Sequence, residues 1–219
     1  MEAGFSTGYT AAKFSESSVR WTARDMKFKL TRRRFLAGSI ASCLGIVVDM
    51  RCIEPRWLRV ARIDVALPSG RLAHPVRILH VSDMHASGHI PMEFIREAVE
   101  LGISQKPDLV CITGDLISRH IPDRDEYVAV LRLLSANCPC FACVGNHDGG
   151  RWVAPMGGYR DLTEMHRLLD DSNVSLLFNA SEAVSVNGAS IELIGIGDYW
   201  AKDAHPARAF SADDKPEQR

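Results

Sequence analysis

Residues 141–150, FACVGNHDGG, decide the fold. An apolar, strand-forming run from Phe141 to Val144 stops at Gly145, and Asn146, His147, Asp148 and two further glycines follow at once. Glycine frees the backbone where a strand must turn sharply. An amide, an imidazole and a carboxylate side by side at such an exit are more than a turn requires. They suit metal binding and proton movement.

Working outward, two other apolar runs end in the same way. VRILHVS runs into SDMH, with Asp83 and His85, and DLVCIT runs into TGDL, with Asp115. Successive clusters lie about one strand–helix–strand unit apart, the roughly 30 residues such a unit needs. Between them, PMEFIREAVELGISQ reads as a helix with Pro91 in its first turn and Phe94, Ile95, Ala98, Val99 and Ile103 as its apolar face; RDEYVAVLRLLSA reads as a second. DLTEMHRLLDDS makes a third helix, followed by strands over VSLLF, EAVSV and SIELIGIG, with Asn187-Gly188 as a hairpin turn. Upstream, WLRVARIDVAL alternates apolar and polar residues and predicts an outer strand, SGRLAHP predicts a turn, and the terminal SADDKPEQR predicts a frayed end.

This order predicts an α/β fold: a βαβαβ core with a parallel sheet and helices packed on it. Ligands of such sheets bind beyond the carboxyl ends of the strands, which gathers the three clusters at one edge. Carboxylates, imidazole and an amide oxygen suit divalent Mn, Fe or Zn, and Asp115 on the middle element could bridge two ions. His80 reads as a core histidine or one lying behind the ligands, while His74, His89, His120 and His166 read as surface residues.

Hydrophobic content of 46% and charged content of 24% are ordinary for a globular chain, and the net charge of -1 argues against a nucleic-acid partner. Six cysteines in a core-rich chain need no disulfide framework; CPCFAC reads as buried structural thiols rather than a zinc or redox site. Charge is uneven. Lys13, Arg20, Arg24, Lys27, Lys29 and Arg32–Arg34 crowd a basic amino-terminal region, residues 1–55, ahead of a domain over 56–219. An uncharged run over 35–48 follows the arginines; it is short of the roughly 20 apolar residues that span a bilayer. Thr31 to Leu36 resembles a twin-arginine export signal, which implies a membrane-associated or extracytoplasmic protein, with a cytoplasmic one as the alternative. No Ala-x-Ala cleavage site follows Val48, which suggests an uncleaved anchor, and Met26 offers an alternative start.

Asp-x-His, then Gly-Asp, then Gly-Asn-His-Asp, each after a strand, resembles the calcineurin-like metallophosphoesterase superfamily over about residues 74–200. The resemblance implies a two-sheet sandwich holding two divalent metal ions and hydrolysing phosphodiesters or pyrophosphates with a metal-generated hydroxide. Carried over by motif, Asp83 and His85 hold one metal, Asp115 bridges, Asn146 holds the second, His147 protonates the leaving oxygen and Asp148 orients His147. Within the superfamily the layout is most similar to twin-arginine-exported phosphodiesterases and UDP-2,3-diacylglucosamine pyrophosphatases, which implies a phosphorylated small-molecule or lipid-linked substrate. The family also supplies a later histidine and a Gly-His-x-His motif; only His166 and His205 follow Asp148 here. The expectation is therefore a truncated chain with an incomplete second half and impaired activity. The alternative is a phosphoesterase-fold protein that binds without catalysing.

Overall fold

The computed structural model describes residues 31–68, 72 and 74–210. The basic residues before Thr31, the alternative start at Met26, most of the SGRLAHP turn and the terminal SADDKPEQR lie outside the described residues. The chain divides into two compact units, Met1–Pro55 and Arg56–Arg219.

In the first unit, helix α1 spans Arg32–Val48 and is capped by Thr31, whose side-chain oxygen accepts from the Arg34 backbone N–H at 3.3 Å. None of its residues is buried, although Phe35, Leu36, Ile40, Leu44, Ile46, Val47 and Val48 are apolar. Among the described residues, no helix is long and apolar enough to cross a membrane.

The second unit is built on four short parallel strands in the order β1 (Ile78–Val81), β2 (Leu109–Thr113), β3 (Cys140–Cys143) and β4 (Ser175–Leu176). The crossovers are helices α2 (Met92–Ile103), α3 (Arg124–Ser135) and α4 (Thr163–Asp171). Asp123 caps α3 by accepting from the Glu126 N–H at 2.9 Å. Pro91, expected inside the first turn of α2, sits one residue earlier, in extended conformation at the cap position.

Period-two alternation along β2 sends its side chains to opposite faces of the sheet. Val110 and Ile112 join the main core with Ile95 and Val99 of α2, Tyr127, Leu131 and Leu134 of α3 and Met165, Leu168 and Leu169 of α4. Leu109 and Cys111 turn the other way, with Phe141 and Leu177, against Val184 and Leu193. Those two belong to an antiparallel hairpin, β5 (Ala180–Val186) and β6 (Ala189–Gly195). Asn187 and Gly188 form its turn with φ of 51° and 79°, the left-handed pair that a tight hairpin needs. The protein is therefore α/β, with helices on one face of a parallel sheet and a small antiparallel sheet on the other.

Two expectations change. The outer strand over 57–67 does not form: the segment has no strand partner among the described residues, and Ile63 and Val65 are 85% and 76% exposed. Alternation alone does not make a strand; a ladder partner is required, and among the described residues β1 bonds only to β2. Of the CPCFAC thiols expected to be buried, only Cys140 is, and burial pushes its thiol up to about 12; Cys138 and Cys143, like Cys111, are half-buried and raised for the same reason first, and Cys43 is exposed. No disulfide joins them.

The unpaired segment gives a direct check by urea denaturation. Ile63→Ser should leave stability within about 0.5 kcal/mol of the wild type. Leu134→Ala, a truncation inside the main core, should cost about 2–5 kcal/mol. A comparable loss from Ile63→Ser would show that residues 57–67 are packed into a sheet.

Candidate metal centre

The exits of β1, β2 and β3 are laced together by their backbones. Asp83 N–H donates to Gly114 O at 3.2 Å, His85 N–H to Asp115 O at 2.9 Å and Gly114 N–H to Cys143 O at 3.0 Å. Ala86 and Ile117 form an isolated parallel bridge beyond them. To follow this path Asp83, His85 and Asp115 all take left-handed backbone conformations, with φ of 54°, 46° and 50°. Non-glycine residues in that region carry strain, which persists where surrounding structure enforces it and is concentrated at functional sites.

The lacing brings side chains from two exits together. Asp83, His85 and Asp115 each offer a ligand atom within 4.8 Å of the others, the His85 Nε2 lying 3.9 Å from Asp83 Oδ1 and 3.6 Å from Asp115 Oδ2. Asp83 is exposed, while His85 and Asp115 are half-buried. Two carboxylates and one imidazole converging at this spacing fit a divalent cation. Asp115 is fixed from its other oxygen, since Oδ1 accepts the backbone N–H of His147 at 3.0 Å.

The third exit delivers His147 beside this cluster. Its ring stands edge-on to that of His85, with centroids 4.9 Å apart. His147 Nδ1 faces Ser118 O at 2.9 Å. A carbonyl only accepts, so Nδ1 carries the proton and Nε2 is left to gain or lose one. Asn146 lies between Gly145 and His147 on the same half-buried turn.

Among the described residues no hydrogen bond joins the Asp148 carboxylate to the His147 ring. That carboxylate is fully buried and accepts from Gly145 N–H at 2.8 Å and Ile117 N–H at 3.2 Å. Both oxygens are thus engaged in closing the turn and tying it to the β2 exit. Ser118 takes the orienting position, accepting from His147 while its hydroxyl donates to His85 O at 3.2 Å. Sequence reading overlooked Ser118 because its main contact is made by a backbone carbonyl; its one signal was a place three residues past Asp115. His80 is exposed rather than buried and pairs with the Thr113 hydroxyl at 2.6 Å. His74, His89, His120 and His166 are exposed, and His120 stacks edge-on against Tyr159.

Burial raises the Asp148 carboxyl to about 7, against the pull of its backbone donors. A carboxyl whose folded-state pKa exceeds its unfolded value favours folding when protonated. That contribution is complete below about pH 4, is lost as pH rises and is gone above about pH 7, amounting to at most about 4 kcal/mol. With chelator present, unfolding free energy should therefore show a falling component between pH 4 and 7 that Asp148→Asn removes. An identical slope in both proteins would show that Asp148 ionises normally in the fold.

Comparison with known proteins agrees with this geometry. The family described as calcineurin-like phosphoesterase matches residues 76–212. Phosphodiesterase YaeI of Escherichia coli (strain K12) is 33% identical over 192 residues, covering 84% of this chain and 67% of the relative. UDP-2,3-diacylglucosamine pyrophosphatase LpxG of Chlamydia muridarum (strain MoPn / Nigg) is 27% identical, covering 73% of this chain and 60% of the relative. The chain thus spans about three fifths to two thirds of the length of these relatives. With the match extending over well over half of the sequence, from just before β1 to residue 212, the chain belongs to the calcineurin-like phosphoesterase family.

Proposed function

We propose that this chain is a metal-dependent phosphoesterase acting on a phosphodiester or pyrophosphate of a phosphorylated small molecule or lipid-linked substrate. Asp83, His85, Asp115 and Asn146 would hold two divalent ions, with Asp115 between them. The observation that carries the reading is the convergence of Asp83, His85 and Asp115 within 4.8 Å at parallel strand exits, with the His147 ring 4.9 Å from that of His85. Divalent ions there would supply positive charge to phosphate oxygens and acidify water.

The chain's own groups do the rest. His147, with Nδ1 held by Ser118 O, directs Nε2 away from the bond that fixes the ring. Protonated at Nε2, it donates to the leaving oxygen as the bond to phosphorus breaks. Asp148 keeps the β3 exit against the β2 exit, so that His147 N–H continues to orient Asp115. The exposed α1 behind Arg32–Arg34 would bring the protein to a membrane surface, on the extracytoplasmic side if the twin-arginine-like stretch is read as an export signal.

One observation favours a second reading, a phosphoesterase-fold protein that binds without turnover. Among the described residues neither His166 nor His205 joins the donor cluster. Retention of His147 favours the enzyme, since a binding scaffold has no use for a proton donor.

Hydrolysis of bis-p-nitrophenyl phosphate with added Mn²⁺ separates the two. Asp115→Asn should abolish turnover. His147→Gln should cost about 10²–10⁴-fold with an alkyl leaving group, which needs a proton, and much less with p-nitrophenolate, which does not. Absence of Mn²⁺-dependent hydrolysis in folded wild-type protein would favour the binding reading.

A further inference from the structure

Beyond the donor cluster, the loop that begins directly after Asp148 carries an aromatic side chain to the surface. Trp152 is 40% exposed, and its ring meets that of Trp200 at 5.8 Å, tilted by 54°. Tyr199 stands edge-on to Trp200 at the same centroid distance and is 78% exposed. Exposed Met156 and Ile196 belong to the same two loops. An exposed aromatic cluster of this kind on a soluble surface marks an interaction site.

The cluster is held rather than left loose. Ala201, next to Trp200, is 2% exposed, and its N–H is capped by Asp198 Oδ1 at 2.7 Å. Asn179 grips the loop from inside, accepting from Gly197 N–H and His205 N–H and donating to Asp203 O. The two loops meet at Gly150, where a Cβ would lie 3.6 Å from Asp203 Oδ2. The fold buries the small residue and presents the large rings outward.

Charge and ring geometry select the occupant. Arg151 and Lys202, beside Trp152 and close to Trp200 in sequence, are exposed and form no ion pair among the described residues, while Asp198 is turned to the Ala201 N–H and Asp203 to the Gly150 side of the loops. Tilted rings in mutual contact form a knob and leave no parallel slot for a planar base. Tryptophan and tyrosine beside basic residues are the side chains favoured at the interface of an anionic bilayer. The other unit independently carries the unburied apolar helix α1 behind three arginines.

We infer that Trp152, Tyr199 and Trp200, with Arg151 and Lys202, form a docking surface by which the phosphoesterase unit itself rests on an anionic lipid bilayer. The membrane association proposed above supports the choice of occupant, but docking is read without any substrate, so failure of hydrolysis and failure of docking are separate results.

The test is partition of the full chain into phosphatidylglycerol and phosphatidylcholine vesicles, in a background where Ile40→Asp and Leu44→Asp remove the apolar character of α1. Binding to phosphatidylglycerol should persist in that background. Trp152→Ala with Trp200→Ala should then weaken it by at least about tenfold, as loss of buried large apolar groups implies. Arg151→Glu with Lys202→Glu, which leaves the rings in place, should weaken binding to phosphatidylglycerol and leave the weak phosphatidylcholine binding unchanged. Partition indifferent to both pairs would overturn the inference, as would its complete loss from the α1 changes alone. Two results in vesicle-free solution would also overturn it: self-association that the tryptophan changes abolish, or uridine monophosphate shielding the indoles from acrylamide.

Discussion

Everything at the site depends on how closely the β2 exit approaches the β3 exit. Gly114 and Gly145 touch backbone to backbone: a Cβ on Gly114 would lie 2.7 Å from Gly145 N, and one on Gly145 would lie 2.2 Å from Asp115 Oδ1. Gly114 also adopts a φ of 73°, which side chains rarely take. Only because neither residue has a side chain can His147 N–H reach Asp115 and hold it facing His85. The parallel sheet supplies the rough placement and this contact supplies the final ångström.

Around that contact the turn is held by a buried carboxylate. Asp148 reaches the Ile117 N–H on the β2 exit and the Gly145 N–H on its own turn. Burying it costs the ionised form, which is why its carboxyl rises to about 7. Ser118 completes the frame, touching one histidine through its carbonyl and the other through its hydroxyl. The two histidines are thus set by the loop after β2, not by the residues that flank them in sequence.

How far the sequence revealed this varies with the kind of information each feature needs. The helices α2, α3 and α4 and the parallel order were legible because amphipathic periodicity and repeat spacing are local signals that tertiary packing reinforced. The gathering of Asp83, His85 and Asp115 followed from topology, since strand ends of a parallel sheet share an edge. Residues 57–67 were misread because alternation records amphipathicity but not whether a neighbouring strand exists to pair with. The partners of Asp148 were illegible for a related reason: adjacency to His147 in sequence says nothing about which donors the folded turn brings within its reach. Ser118 could not be found from side-chain chemistry because the contact that matters is made by its backbone.

The central claim is that glycine-permitted contact between two strand exits builds the candidate metal site, and Mn²⁺ binding tests it most directly. Titration of wild type, Gly145→Ala and Gly88→Ala, the last an exposed position with nothing within 4 Å of an added Cβ, isolates that contact. Gly145→Ala should weaken Mn²⁺ binding by about 10–100-fold, the range expected when a ligand loses the group that orients it, while Gly88→Ala binds as the wild type does. Equal affinity in a folded Gly145→Ala protein would contradict the account, because it would mean that Asp115 is placed without the close approach on which this site is argued to rest.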